Sequence, residues 1–287
     1  MKISVVMVTM NREERALRSL KAVFNQNDKP NEIIVVDSSD TNTLGKSGKK
    51  LFAKSKIKFV YVHEKASMTE ARNIGIRKSK NDIVLFIDDD VVLTREYIDK
   101  LKRFYTENPH AGGACGYLCD GNKFLVDRLM KFPNIPSLNE PFTIISLHGS
   151  NMSFRRKVFD DFMFHEGLKG YYADDDEFSA RVSTKYKIYL VPYMKCVHEH
   201  TSTGGARLDP FTNFNTMMFN RYFIYRMRKK SIFNFLHYLF SEAMALIRIV
   251  LVYNGNRGRA LSGAFRGYKR ALRNVFKNDL TKELSKL

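Results

Sequence analysis

Residues 82–93 read DIVLFIDDDVVL. Five apolar residues, Ile83 to Ile87, run into three consecutive acids, Asp88, Asp89 and Asp90, and apolar residues then resume. A short, unbroken apolar run of this kind predicts a strand buried on both faces. Three carboxylates at its end repel one another, and withdrawing each from water costs several kcal/mol unless something pairs it. The partner for such a cluster is a divalent metal or a cationic ligand. In an extended segment residues 88 and 90 point the same way, so Asp88 and Asp90 can face one ligand while Asp89 turns aside.

The flanking sequence repeats the pattern. ISVVMV (3–8), EIIVVD (32–37) and IKFVYV (57–62) are further apolar, β-branched runs. Between them, REERALRSLKAVFNQ (12–26) carries Ala16, Leu17, Leu20, Val23 and Phe24 at helical spacing. TEARNIGIRKS (69–79) reads as a helix capped by Thr69, and TREYIDKLKRFYTEN (94–108) as another. Buried strands alternating with helices predict an α/β fold with a mostly parallel central sheet. Such sheets bind ligands beyond the carboxyl ends of their strands, where Asp37 and Asp88 to Asp90 fall. Beyond about residue 110 the pattern loosens into loop-rich stretches, then KIYLVPYMKCVHEHTS (187–202) predicts a strand running into a His-rich loop. After about 210 the chain is aromatic, helical in period and interleaved with basic residues.

The chain has 287 residues, is 44% hydrophobic and carries a formal charge of +18. It can bury a core, and its charge implies an anionic partner such as a phosphorylated substrate, an anionic membrane surface or nucleic acid. Nucleic acid is disfavoured, because no nucleic-acid motif appears and the acids cluster where a phosphate backbone would be repelled. Cys115, Cys119 and Cys196 give no disulfide framework and fit a reducing compartment; the expected setting is cytoplasmic, with the basic-aromatic C-terminal region as the candidate for peripheral contact at the inner face of the cell membrane. No signal peptide or transmembrane stretch is read. DTNTLGKS (40–47) imitates a phosphate-binding loop, but Asp40 occupies the position that needs glycine and would repel the phosphate. The cysteines with nearby histidines argue only weakly for zinc.

Five stretches, ISVVMVTMNRE, EIIVVDSSD, ARNIGIRKSKNDIVLFIDDD, GSNMSFRR and YYADDDEFSARV, follow one another in that order. Together they resemble the inverting glycosyltransferases of family two, rhamnosyltransferase-like and of the glycan-assembly type, over roughly residues 1 to 230. The resemblance implies the GT-A nucleotide-diphospho-sugar transferase fold and hexosyl transfer from a UDP, GDP or dTDP sugar to a glycan or lipid-linked acceptor. It implies that Thr9 and Asn11 lie by the nucleotide, that Asp37 binds the base, and that Arg72 approaches the base or diphosphate. Asp88, Asp89 and Asp90 form the donor-binding acidic motif, with Asp90 and Asp88 as ligands of Mg²⁺ or Mn²⁺. Gly149, Ser150, Asn151 and Met152 line the sugar and acceptor pocket. The family's Glu-Asp pair aligns with ADDDEF, so Asp174 takes the Glu position and Asp175 the base. This departs from the usual pair and leaves Asp176 as an alternative. A late histidine completes the metal site in many relatives; His198 is the choice here and His200 the reserve. His148 is read as an acceptor-pocket or structural residue.

The resemblance divides the chain into a catalytic domain, 1–210, with a nucleotide-sugar half (1–110) and an acceptor half (111–210), and a helical, basic-aromatic region, 211–287. The aromatic faces and basic flanks of that last region suit peripheral membrane contact, against packing or a dimer contact as the plainer reading. The competing functions are a non-catalytic relative that keeps the fold as a binding scaffold and, less favoured, a basic nucleic-acid-binding protein.

Overall fold

A computed structural model describes residues 1–119, 139–168, 173–199, 209–227, 232–251, 253 and 255–276 of the chain. The apolar runs form the strands that their composition predicts. β1 (Ile3–Thr9), β2 (Glu32–Asp37) and β4 (Ile83–Asp88) are buried along nearly their whole length, and β3 (Lys58–His63) is partly exposed. These four pair in parallel in the order β3-β2-β1-β4. β5 (Val91–Leu93), β6 (Ala111–Cys119), β7 (Phe142–Ile144), β8 (Met152–Arg155) and β9 (Lys187–His198) extend the same sheet. β8 runs antiparallel between β4 and β6, and β9 lies parallel to β6 with β5 and β7 antiparallel along its free edge.

Register aligns the functional ends. Thr9 pairs with Asp37, Asp37 with His63, and Val8 with Asp88. The carboxyl ends of four parallel strands therefore finish at one edge.

Helices cover both faces. α1 (Glu13–Phe24), α2 (Thr43–Phe52) and α4 (Tyr97–Glu107) pack Ala16, Leu20, Leu44, Leu101 and Phe104 into one core. α3 (Met68–Lys78), the short α5 (Val158–Asp161) and α6 (Asp174–Ser183) pack Ala71, Ile76, Val158 and Phe178 into a second. One local expectation changes. The cap of α3 is Ser67, not Thr69: the Glu70 N–H donates to the Ser67 hydroxyl while the Glu70 carboxylate accepts from the Ser67 N–H (2.7 Å). Ser67 has the extended backbone an N-cap needs and a Glu three residues on, whereas Thr69 is already inside the first turn. The phosphate-loop imitation is the start of α2, where a Cβ at Gly45 would overlap the Tyr61 ring and one at Gly48 the Phe59 ring.

The chain divides into two compact units, residues 1–166 with 174–205, and residues 167–173 with 206–287. The second contains α7 (Pro210–Met227), α8 (Ile232–Leu251) and α9 (Arg257–Phe276). Its core is formed by Met218, Ile249, Ala260 and Ala264. Gly263 and Gly267 let α9 approach the backbone of α7 at Phe211 and Asn215. Buried Glu242 accepts from Arg221 (2.6 Å) and from the Tyr268 hydroxyl, which joins the three helices by a paired charge. None of the described helices is long and apolar enough to cross a membrane.

Candidate active site

The acidic motif is built by strand ends rather than by a loop alone. Asp88 closes β4, and Asp90 immediately precedes β5. β5 pairs with the end of β9 so that Val91 lies opposite His198. That pairing brings His198 Nε2 to 2.9 Å from Asp90 Oδ1 across a sequence gap of 108 residues. Ligand atoms of Asp88, Asp90 and His198 all lie within 4.8 Å of one another, so one ion could reach all three. No cysteine enters this group; Cys115 and Cys196 are buried, and burial pushes both thiols up to about 12. His200 lies outside the described residues.

Asp89 faces away from the other two. It accepts from the Thr9 hydroxyl (2.7 Å) and from Arg12 (3.0 Å), and Arg12 also reaches Asp90 (3.3 Å). Burial pushes the Asp89 carboxyl up to about 6, with Thr9 and Arg12 opposing the shift. Asp88 is also raised, by burial first and by Asp90 as a like charge, while Arg72 pulls the other way. Two carboxylates held together at such a cost form a site that a divalent cation relieves.

Arg72, on α3, is 4% exposed. Its guanidinium is paired with Asp174 and lies 3.8 Å from Asp88. It links the strand acids to the acids at the start of α6. The three aspartates there have separate environments. Asp174 is buried against Arg72. Asp175 is half-buried and accepts from the Gly149 N–H at 2.8 Å. Asp176 is exposed and accepts from the Ser146 hydroxyl.

The turn at 148–150 connects the two acidic groups. The Gly149 N–H holds Asp175, and the Ser150 carbonyl accepts from the Asp88 N–H (3.1 Å). A Cβ on Gly149 would lie 2.9 Å from Asp175 Oδ2 and 3.0 Å from an Arg72 nitrogen. His148 is exposed beside this turn, with Nδ1 2.7 Å from the Ser150 hydroxyl and its ring edge-on to His198 at 6.1 Å. Asn151 and Met152 are fully buried. Asn151 bridges β6 and β9, accepting from the Gly116 N–H (3.1 Å) and donating to Cys196 Sγ (2.8 Å). Met152 belongs to the second core.

At the end of β2, Asp37 is 0% exposed and accepts from the Ser39 N–H (2.9 Å) and the Tyr61 hydroxyl (2.7 Å). Asn11 adopts a left-handed backbone (φ 55°), and its side chain exchanges hydrogen bonds of 3.0 Å with Asp40. The loops after β1 and β2 are thereby joined. Sequence reasoning did not single out Arg12 or Tyr61. Arg12 had a usable signal: a cation just past β1 must approach the end of β4, the neighbouring strand. Tyr61 had none, because only the β2–β3 pairing carries its hydroxyl to Asp37.

A mixed sheet whose parallel strands end beside an acidic pair, a histidine and a buried guanidinium has the GT-A architecture of the solved structures it resembles. The chain belongs to glycosyl transferase family 2, whose family model matches residues 4–163. It is 23% identical over 208 residues to the uncharacterized glycosyltransferase YwdF of Bacillus subtilis, spanning 71% of this chain and 76% of that protein. In fold it is similar to Staphylococcus aureus TarS 1-349 in complex with UDP-GlcNAc, at a TM-score of 0.62 and 17% identity over 92% of this chain and 79% of that one. It is equally similar to the mannosyltransferase PcManGT from Pyrobaculum calidifontis in complex with GDP-Man and Mn²⁺, at a TM-score of 0.62 and 17% identity over 95% and 75% of the two chains.

Proposed function

We propose that the chain transfers a sugar, with inversion, from a nucleotide-diphosphate donor to a hydroxyl of a glycan or lipid-linked acceptor. The observation that carries this reading is the bridge at residues 148–150, which ties Asp175 to the Asp88, Asp90 and His198 group through two backbone hydrogen bonds. A direct displacement needs a base on one side of the anomeric carbon and cation stabilisation of the leaving diphosphate on the other.

Asp175 is the base in this reading. It keeps solvent access, and the Gly149 N–H orients Oδ2 while leaving it lone-pair capacity for an acceptor hydroxyl proton. Asp174 is committed to Arg72, and Asp176 faces solvent beside Ser146. Arg72 contributes a fixed positive charge near the diphosphate. Arg12 and Thr9 hold Asp89 and so fix the direction in which Asp88 and Asp90 face. Asp37 acts on the donor's nucleobase through the Ser38–Asp40 loop, which it braces from inside. Gly149 and Ser150 shape the sugar and acceptor side, and Asn151 and Met152 support them from beneath.

The donor set of Asp88, Asp90 and His198 fits Mn²⁺ better than Mg²⁺, because an imidazole nitrogen suits a transition metal and Mg²⁺ prefers oxygen alone. Such an ion, when bound, neutralises charge growing on the leaving diphosphate. The similar folds solved with UDP-GlcNAc and with GDP-Man and Mn²⁺ support a UDP or GDP sugar and a metal-dependent reaction. The test is release of nucleotide diphosphate from a panel of UDP-, GDP- and dTDP-sugars, with Mn²⁺ or with EDTA. One donor class is expected to turn over, only with metal, and Asp90→Asn is expected to lose it. Turnover indifferent to EDTA would overturn the metal role, and no turnover or binding of any nucleotide sugar would leave a scaffold.

A further inference from the structure

The second unit leaves one face of α8 uncovered. Ile249 and Glu242 turn inward, and the Arg221 and Tyr268 contacts fix that side. On the other side Ile232, Leu236, Phe240, Ile247 and Leu251 are 72%, 56%, 67%, 46% and 70% exposed. Their spacing of four or seven residues places them on one stripe of a helix 20 residues long. No acidic side chain lies on the stripe, since Glu242, the single acid in α8, is buried.

Charge identifies what covers this face. Residues 206–287 contain sixteen Lys and Arg against four Asp and Glu, a net +12 of the chain's +18. Both acids among the described residues of the unit are tied to arginines, Asp209 to Arg259 (3.0 Å) and Glu242 to Arg221 (2.6 Å). Arg248, Arg257, Arg266 and Lys269 are exposed on α8 and α9, and Phe265 adds a 64% exposed ring. An apolar stripe on a unit with this net positive charge matches a surface with hydrocarbon beneath and phosphates above. A second copy of the chain offers the wrong sign, because face-to-face pairing would bring two such cationic units together.

We propose that the exposed face of α8 lies in the interface of an anionic lipid membrane, with the surrounding Lys and Arg on lipid phosphates. This stands apart from the donor and acceptor reading, because binding is measured without turnover. The chain has no tryptophan, so Phe240→Trp introduces a single indole as reporter. Full-length protein is mixed with phosphatidylcholine vesicles with and without phosphatidylglycerol, and read by co-sedimentation and indole emission. Expected are co-sedimentation and a blue shift with the anionic vesicles, both weakened by salt. The Leu236→Ser/Phe240→Ser double variant is expected to partition at least about tenfold more weakly with unchanged melting temperature, since each exposed site inserts a large apolar side chain. Absence of binding to anionic vesicles, equal binding to neutral ones, or binding unaffected by the double substitution would overturn the proposal. So would a wild-type dimer in light scattering that the double variant converts to monomer, which would make the face a contact between copies.

Discussion

Among the three aspartates that open α6, position decides chemistry. Asp174→Asn leaves the buried Arg72 short of a carboxylate, and breaking a buried pair from one side costs about 3 kcal/mol. Asp175→Asn leaves the buried Asp174–Arg72 pair in place, so thermal unfolding should stay near wild type while kcat falls by about 10²–10⁴-fold. Comparing melting curves and kcat for the two variants separates the roles; a fully active Asp175→Asn beside a folded but inactive Asp174→Asn would reverse the assignment. Gly149→Ala tests the same geometry from the other side. Its new Cβ crowds both Asp175 and Arg72, and a displaced base should lower kcat by about 10²-fold with the fold retained. The acids themselves were legible because ADDDEF falls where the family resemblance expects a Glu-Asp pair. Their separate environments were not legible, since the partners of Asp174 and Asp175 lie at Arg72 and Gly149, far away in sequence.

At the scale of elements, one strand pairing builds the site and one helix–strand contact supports the flank of the sheet. β5 is only three residues long, and its contact with β9 is what carries His198 to Asp90. His198→Ala should weaken Mn²⁺ activation by at least the ~10–100-fold that loss of a metal site's outer-shell partner costs, read from the Mn²⁺ dependence of turnover. Unchanged Mn²⁺ dependence would remove His198 from the metal site. The helix–strand contact is α2 on β3, where Gly48 meets the Phe59 ring directly. Gly48→Val should destabilise by about 1–3 kcal/mol through overpacking, visible as a lower denaturation midpoint. α1 and α4 each bury one apolar face, which local spacing can show; α3 buries Thr69, Arg72 and Asn73 beside Ala71 and Ile76, and its signal lay at its capped start rather than in an apolar stripe. α2 was hidden by its glycines and lysines, and its reason to be helical is close packing on two aromatic rings.

For the whole molecule, the parallel half of the sheet sets where a donor can bind, and metal and nucleotide should act together. A nucleotide diphosphate at about 100 times its dissociation constant should stabilise the fold by about 2.7 kcal/mol. The melting temperature should therefore rise with one nucleotide diphosphate plus Mn²⁺, and the rise should vanish on adding EDTA or in Asp90→Ala. A shift that survives EDTA would mean that Arg72 and Arg12, not a metal, hold the phosphates.

The sequence by itself determined the α/β class, the alternation of buried strands and helices, and the acids waiting at strand ends, because local periodicity and the cost of buried charge are written in neighbouring residues. It also announced the cationic, aromatic character of the C-terminal region. Only the tertiary structure decided which acid pairs with Arg72, which histidine meets Asp90, that Asp37 is sealed behind Tyr61, and which face of α8 stays bare. Those outcomes depend on strand register and on contacts between residues tens to more than a hundred positions apart, and no local pattern encodes them.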